Sequence, residues 1–564
     1  MAIWEVPKVN GVEYRLPVYT IKDTLSTLPQ EVIELIANFL SDEPVQLATC
    51  CLTCSAWYHA ARPHLRQWKT IRSEEALRTL VRVLLTKRNE RYGRALRSLE
   101  IWDNARKPFA HVFSLRVPGR LLVHLTALRL HGIDWSTVRP HPRFFKDLSG
   151  FASVIRLTLV KCRFRRPEEL RAIANGLPNL KFFSLSLITV ASAPPAADVI
   201  RKSPSISNLV LDKIQLFGSA SAPQAYSVGS DDVQRLHQSV LDALASYSTV
   251  TSLQLDADQF LSFPQCQRFI RAFPRLQAIH MMRDPTWGPS SLPVDAGLLD
   301  SQTKPCAWDI MQLRMSSVSA KFTAQFLEAF ASVFCRVVTL SIALKDEPTT
   351  SLLSVVRMLL RESGSTLHQV EWRCKVGMTG LPPNSPDPFA IPGPLTYNVN
   401  LTQLHVSFNV YPPASMSSFS LSLLAFFSQI ESQCLQGIDI RVYVKRLPLP
   451  LMNTDTQSAT AKFVTDFHAA LSRGVFAGLP AGSVRVGFVL STETDILPVG
   501  TVLSLVATIE SSLVPCFTPW LCRGVVAIQL PDGTTIEDNP RDEVARSPPT
   551  TVHTIEDTDS DHAS

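Results

Sequence analysis

No Gly-rich phosphate loop, no His-Glu-x-x-His pair and no Gly-x-Ser-x-Gly elbow occurs in the 564 residues, so the common signatures of nucleotide, zinc-peptidase and serine-hydrolase chemistry are missing. Charge is scarce, at 18% against 45% hydrophobic residues, which excludes a disordered chain and leaves room for several domains or one extended array. Glu5 and Glu13 fall among the first residues without a long apolar core, unlike a secretory signal. The apolar segment from Ile496 to Ile509 lies between Asp495 and Glu510 and is too short to span a bilayer, so a buried helix or strand is expected there and no membrane contact. Eleven cysteines follow no spacing framework and sit mostly in apolar runs. They fit free thiols in a reducing compartment, cytoplasmic and/or nuclear.

Metal and catalytic patterns are equally thin. Cys51, Cys54, His59 and His64 have a passing likeness to zinc spacing, but the gap before the histidines is short for a closed finger and the cysteines fall on apolar helix sides. His124, His131 and His405 lie beside apolar strand patterns without acid or hydroxyl partners at telling spacing, as core or edge histidines do. No cofactor, no metal and no catalytic residue is expected.

What is present begins with three short helices. Leu28, Val32, Leu35, Ile36, Phe39 and Leu40 recur at steps of three and four, one adhesive helix face. Thr27 and Gln30 have capping-box spacing and Pro29 suits a first turn. Asp42 can cap a second helix with Pro44 in its first turn and Val45, Leu47, Ala48, Cys51 and Leu52 on its apolar side. A third helix carries Trp57, Ala60 and Ala61 and should stop near Pro63. So small a unit buries too little surface alone, so a partner or the next domain should cover its remaining apolar face.

Leu-Pro-x-Glu at Leu28 to Glu31, the aliphatics Ile36 and Leu40, Leu47, Cys-x-x-Trp at Cys54 to Trp57, and the continuation Ala61-Arg-Pro-His-Leu65 resemble the F-box, in the form seen in fungal F-box proteins. The match covers under a tenth of the chain, and Pro44-Val45-Gln46-Leu47 departs from the commoner Asp-Leu or Pro-Leu. The resemblance implies a module that docks a Skp-type adaptor of a cullin-based ubiquitin ligase. Leu28, Pro29, Val32, Ile36, Leu47, Leu52 and Trp57 are its expected adaptor-facing or module-building residues, two roles that sequence does not separate.

An internal repeat follows. Apolar-x-x-apolar-x-apolar recurs as Leu96/Leu99/Ile101, Leu125/Leu128/Leu130, Val154/Leu157/Leu159, Leu180/Phe183/Leu185 and Ile206/Leu209/Leu211, whose middle positions step by 29, 29, 26 and 26 residues. It resumes at Leu253, Ile279, Leu313, Leu340, Val370, Leu404 and Ile438 with steps of 26, 34, 27, 30, 34 and 34. The pattern resembles leucine-rich repeats, with Pro167 to Leu177 and Val233 to Tyr247 as helical returns and with Asn104 and Cys162 placed to satisfy turn backbone. An ordinary α/β protein is the competing reading. Gly218 to Asp232, Asp284 to Pro305 and Thr379 to Pro394 read as surface insertions. The expected layout is an N-terminal segment at 1–24, an F-box at 25–68, an irregular leucine-rich-repeat-like solenoid with a parallel sheet at 69–530, and a disordered acidic tail at 531–564, an α/β chain overall.

Charge is polarised along the chain. Arg62 to Arg171 holds 25 Lys+Arg against 9 Asp+Glu, whereas Pro531 to Ser564 holds 2 against 9. A basic stretch of that density can meet phosphates, an acidic partner or the protein's own tail, or be a solvated face, and no nucleic-acid reader motif accompanies it. The expected function is a non-catalytic substrate receptor that binds a Skp-type adaptor and cullin complex through the F-box and an unidentified target protein through the repeats. The alternatives are a scaffold that binds proteins or nucleic acid without a ligase, and an enzyme whose site spans several repeats.

Overall fold

The computed structural model describes residues 28–40, 43–65, 67–86, 90–191, 213–217, 231–283, 308–331, 336–346, 348–375, 395–410, 423–444, 457–490 and 499–537. The segment at 1–24, the three expected insertions over most of their length and the tail beyond Glu537 lie outside these residues.

Three helices come first: α1 (Gln30–Phe39), α2 (Pro44–Cys51) and α3 (Ser55–Leu65). They share a small core of Ile33, Ala37, Leu47, Ala60 and Ala61, distinct from the large core of the rest. Their ends differ from expectation. Pro29 is the N-cap of α1 and its carbonyl accepts the Val32 and Ile33 amides, while Thr27 lies outside the described residues. Glu43, not Asp42, caps α2, without a side-chain bond and with Pro44 at the first turn. Helix α3 runs through Pro63 to Leu65; a proline there forgoes one bond, to the carbonyl four residues before it, and the helix continues for only two more residues.

Strands then alternate with helices or irregular returns. The strands are β1 (Trp68–Ile71), β2 (Ser98–Trp102), β3 (Ala127–His131), β4 (Arg156–Val160), β5 (Arg163–Phe164), β6 (Phe182–Ser186), β7 (Thr189–Val190), β8 (Lys213–Phe217) and β9 (Ser252–Asp256). They continue as β10 (Ala278–Met282), β11 (Gln312–Val318), β12 (Thr339–Leu344), β13 (Gln369–Lys375), β14 (Gln403–Val410), β15 (Gly437–Val444), β16 (Val484–Leu490), β17 (Val526–Gln529) and β18 (Thr535–Ile536). Among the described residues sixteen form one sheet in chain order, with β5 and β7 paired separately. All neighbours are parallel except β17 and β18. Parallel neighbours need a crossover of a dozen or more residues, which the spacing of the apolar template supplies.

Register turns the template into two continuous apolar rows. Leu99, Leu128, Leu157, Phe183, Ile214 and Leu253 align across β2 to β9, and Ile101, Leu130, Leu159, Leu185, Leu216 and Leu255 form the row beside them. Ile279, Leu313, Leu340, Val370, Leu404, Ile438, Val484 and Val526 continue the first row. These side chains are buried against helices such as α4 (Pro167–Asn175), through Leu170 and Ile173, and α5 (Thr350–Ser363), through Leu352 and Val356. Period-two alternation leaves the opposite sheet face to polar residues. Expected returns are seen in α4 and in a helix over Asp231–Ala245.

One strand sits elsewhere than expected. The place between β6 and β9 is taken by β8, with Ile214 and Leu216 inward, whereas Ile206, Leu209 and Leu211 lie in or beside residues outside the described set. Leu211-x-x-Ile214-x-Leu216 satisfies the same template, so the pattern fits two overlapping frames and register selects the second. At the C-terminal end the expected polar tail begins too early: Asp532 Oδ1 accepts the Thr534 amide and hydroxyl, and this turn folds Thr535 and Ile536 back on β17.

Turn backbone is satisfied as expected at Cys162, whose buried thiol lies 3.5 Å from the Leu130 carbonyl and 3.4 Å from that of Val160; burial pushes its pKa up to about 12. Asn104 is exposed, and its side-chain oxygen accepts the Arg106 amide at 2.9 Å, while its neighbour Asp103 accepts the Asn104, Phe109 and Ala110 amides. A recurring link is made by hydroxyls: Thr126 donates to the Arg97 carbonyl and Thr402 to that of His368, each tying one strand entry to the preceding one.

Candidate functional site

Helix α1 carries two adjacent apolar stripes. Ile33 and Ala37, four residues apart, are buried against Leu47 of α2 and Ala60 and Ala61 of α3, with Leu40 and Trp57 partly buried around them. At 100° per residue, Val32, Leu35 and Phe39 fall on a second stripe about two-fifths of a turn away, with Ile36 between the two and Leu28 just ahead of the N-cap. Among the described residues nothing covers the second stripe: Leu35 is 68% exposed and Phe39 86%, and Val45 of α2 and its C-cap Leu52 are 74% and 84% exposed. Monomeric surfaces rarely gather this many large apolar side chains within one small module, and such a patch marks a docking surface.

The structure thus separates the two roles among the residues singled out by sequence. Leu47 is core and Trp57 is packed against that core, so both build the module. Leu28, Pro29, Val32 and Leu52 are exposed, and Ile36 is half-buried. Leu35, Phe39 and Val45, read from sequence as helix-face residues only, join the uncovered surface. Their signal was the stripe periodicity, which assigns a face without saying which of two adjacent faces turns inward.

A second feature lies on the polar face of the sheet. Between the apolar rows, Glu100, Arg129, Thr158, Ser184 and Gln215 align across β2, β3, β4, β6 and β8. Arg129, Thr158, Ser184 and Gln215 help to line a cleft of about 530 Å³ with Arg156, Phe182, His131, Val160 and Ser186, while Glu100 is not among its walls. Glu100 is shared: its carboxylate oxygen is 2.9 Å from His131 Nε2, at ion-pair distance without straight hydrogen-bond alignment, 3.6 Å from Arg129, and its other oxygen accepts from Thr70. Burial works against charge on both partners. It pushes the His131 pKa down despite Glu100, while bonds from Trp102 and Thr70 and the charges of His131 and Arg129 outweigh burial at Glu100 and hold its carboxyl low. The His131 ring is stacked on Trp102 at 4.0 Å, and Arg72 lies over the same indole. Gln215 is fixed by its bond to Gln254.

Farther along the same face the charges are paired. Arg373 meets Glu371, and Asp439 is flanked by Arg441 at 3.1 Å and His405 at 3.4 Å. The hydrogen bond from His405, followed by that from Arg441, holds the Asp439 carboxyl below its usual range. Among the described residues no group of three or more His, Cys, Asp or Glu side chains is placed to hold a metal, and no helix is long and apolar enough to cross a membrane. The cysteines described, Cys50, Cys51, Cys54, Cys162, Cys266, Cys434, Cys516 and Cys522, are all free thiols.

Residues 25–73 match the family described as F-box-like. A comparison with curated proteins finds no match to the chain. The matched span contains α1, α2 and α3 and the uncovered apolar stripe, and it supports a role in binding the Skp-type adaptor of an SCF-type ubiquitin ligase.

Proposed function

We propose that this chain is a substrate-recognition subunit of a cullin-based, SCF-type ubiquitin ligase, with α1 to α3 docking a Skp-type adaptor and the remainder holding a target protein. The observation that carries the reading is the coincidence of the F-box-like match with the uncovered stripe of Leu35, Phe39, Val45 and Leu52. In this reading residues 69–530 are an irregular leucine-rich-repeat-like solenoid. The chain-order parallel sheet and its unbroken apolar rows support that description. The chain does no chemistry itself: it raises the effective concentration of target at a conjugating enzyme held by the same complex. Cytoplasmic and/or nuclear residence accords with the free thiols.

The test is affinity purification of the intact chain from cells or after co-expression with a Skp-type adaptor, with identification of what remains bound. Stoichiometric adaptor is the expected result. A folded chain that binds no adaptor, and is instead held on nucleic acid in a strongly salt-dependent way, would establish the scaffold reading in its place.

A further inference from the structure

Two thiols face each other across the turn where α2 gives way to α3. Cys51 is the last residue of α2, and Cys54 directly precedes Ser55, the first of α3, its carbonyl accepting the Tyr58 amide. Both are free thiols, Cys54 exposed and Cys51 half-buried against the small core of the three-helix module. The chain between them is tightly held: Leu52 keeps right-handed helical backbone at φ −92° and ψ −9°, and the Thr53 amide and hydroxyl both bond the Cys50 carbonyl. The helical path therefore continues past Cys51. Side chains three residues apart on such a path stand about 5–6 Å apart at Cβ, and a disulfide needs about 3.5–4.5 Å, so a small adjustment of the turn brings the two sulfurs into bonding range.

Exposure divides the roles. A disulfide in solution reaches Cys54 first. The Cys54 thiolate attacks one sulfur of a low-molecular-weight disulfide such as oxidised glutathione, which forms a mixed disulfide and releases one glutathione thiolate. The Cys51 thiolate then attacks the Cys54 sulfur and releases the second glutathione. Two electrons and two protons have left the protein dithiol, and the glutathione disulfide has become two thiols. Burial, then the neighbouring Cys50, push the Cys51 thiol up, with Arg62 pulling the other way, so Cys51 is slow toward disulfides in solution and acts once the mixed disulfide is held beside it. Cys50 does not compete for Cys51, because adjacent side chains on a helix point to different faces. Disulfides in reducing compartments are rare and, where they occur, transient and redox-sensing, and an exposed bond is of the labile kind.

We propose that Cys51 and Cys54 are a redox pair that exchanges with glutathione disulfide to close a reversible disulfide across the turn between α2 and α3. The ring so formed contains Leu52, 84% exposed on the uncovered apolar surface. Since Cys51 is anchored on the core, closure moves Cys54 and Leu52. That oxidation thereby weakens adaptor docking rests on the function proposed above; the disulfide itself does not.

The test uses the full chain, reduced, equilibrated without oxygen in glutathione buffers of increasing oxidised fraction, then acid-quenched, alkylated and mapped by mass spectrometry. The peptide that carries Cys51 and Cys54 should lose two hydrogens in wild-type protein and in Cys50→Ser, and dithiothreitol should restore both thiols. Cys51→Ser, which lacks the second thiol, should instead accumulate a glutathione adduct on Cys54, about tenfold or more above wild type. Cys434 and Cys522, exposed and without a cysteine three residues away, should carry such adducts only. Glutathione adducts on wild-type Cys54 without an internal bond would overturn the proposal, and so would loss of the internal bond in Cys50→Ser, which would make Cys50 the partner of Cys54. Adaptor capture is scored in the same samples: oxidised wild-type chain should retain about tenfold less adaptor than reduced chain, and Cys54→Ser should retain equal amounts in every buffer. Equal capture by the reduced and the disulfide-bonded chain would overturn the effect on docking, whereas the disulfide in a chain that captures no adaptor even when reduced upholds the pair and removes only the ligase reading.

Discussion

Truncation of Leu157 to alanine tests how the array is held together. Leu157 is fully buried in the middle of β4, and its register partners on either side are Leu128 of β3 and Phe183 of β6, both also buried. Removing one methine and two methyl carbons from such a site costs the lost transfer energy plus that of the cavity, about 2–5 kcal/mol. The upper half of that range applies here, because the hydrogen-bonded strands on both sides hold the walls apart and resist collapse. If each unit contacts only its neighbours, the loss should be local. Native-state hydrogen exchange, read peptide by peptide, should show faster opening of β3, β4 and β6, while β14, β15 and β16 keep their protection. Leu503, 57% exposed on its helix, is the control, and its alanine variant should shift stability by no more than about 0.5 kcal/mol. A loss below about 1 kcal/mol for Leu157→Ala, or an equal loss of protection at β15, would refute nearest-neighbour packing.

Thiol chemistry and pH give further checks. Alkylation of the native chain should label the exposed Cys54, Cys434 and Cys522, while Cys162, Cys266 and Cys516 react only on unfolding, since they are buried and burial raises their pKa; mass spectrometry of early labelling at Cys162 would contradict the packing described. His131 is held below its ordinary pKa by burial, against Glu100 and with Arg129 and Lys161 nearby, so between the folded and unfolded values the unfolded chain binds more protons. Stability should therefore fall as pH drops below about 6.5, and His131→Asn should flatten that part of a urea-midpoint titration; an unchanged slope would refute the assignment. Asn398 is buried, and its side-chain amide donates to the carbonyls of Leu360 and Gly364 at the end of α5. Asn398→Ala should cost about 1–3 kcal/mol by denaturant unfolding, and a neutral result would mean that water satisfies both carbonyls.

Much of the sheet was legible because a strand buried on one side announces itself by alternation. From β2 to β15 the template located the buried rows, apart from β8, where two frames overlap at Leu211. Of the strands it missed, β16 has apolar inward residues, Val484 and Val486, but only the small Ala481 in the lead position, whereas β1 and β17 break the pattern with charge. In β1, Lys69 occupies the row of Leu99, and Arg523 stands three residues before Val526, the first inward residue of β17. The F-box-like module was recognisable from ordered spacing, yet the division between Ile33 and Ala37 inside and Leu35 and Phe39 outside depends on where α2 and α3 sit, which periodicity does not encode. The cleft was less legible still. Arg129 and Arg156 are 27 residues apart and become neighbours only through strand register, and the hydroxyls between them follow no pattern that distinguishes a ligand site from a solvated face.

The most direct measurement of the central claim is adaptor capture by Phe39→Asp. Phe39 is 86% exposed and belongs to no core, so the substitution leaves the three-helix module folded, whereas burying an unpaired carboxylate in an interface costs several kcal/mol. With adaptor and chain co-expressed, wild-type protein should retain the adaptor through gel filtration, Phe39→Asp and Leu35→Asp should lose it about a hundredfold or more, and Gln30→Asp, at the helix start, should keep it. Full adaptor retention by a folded Phe39→Asp, Leu35→Asp double variant would contradict the account.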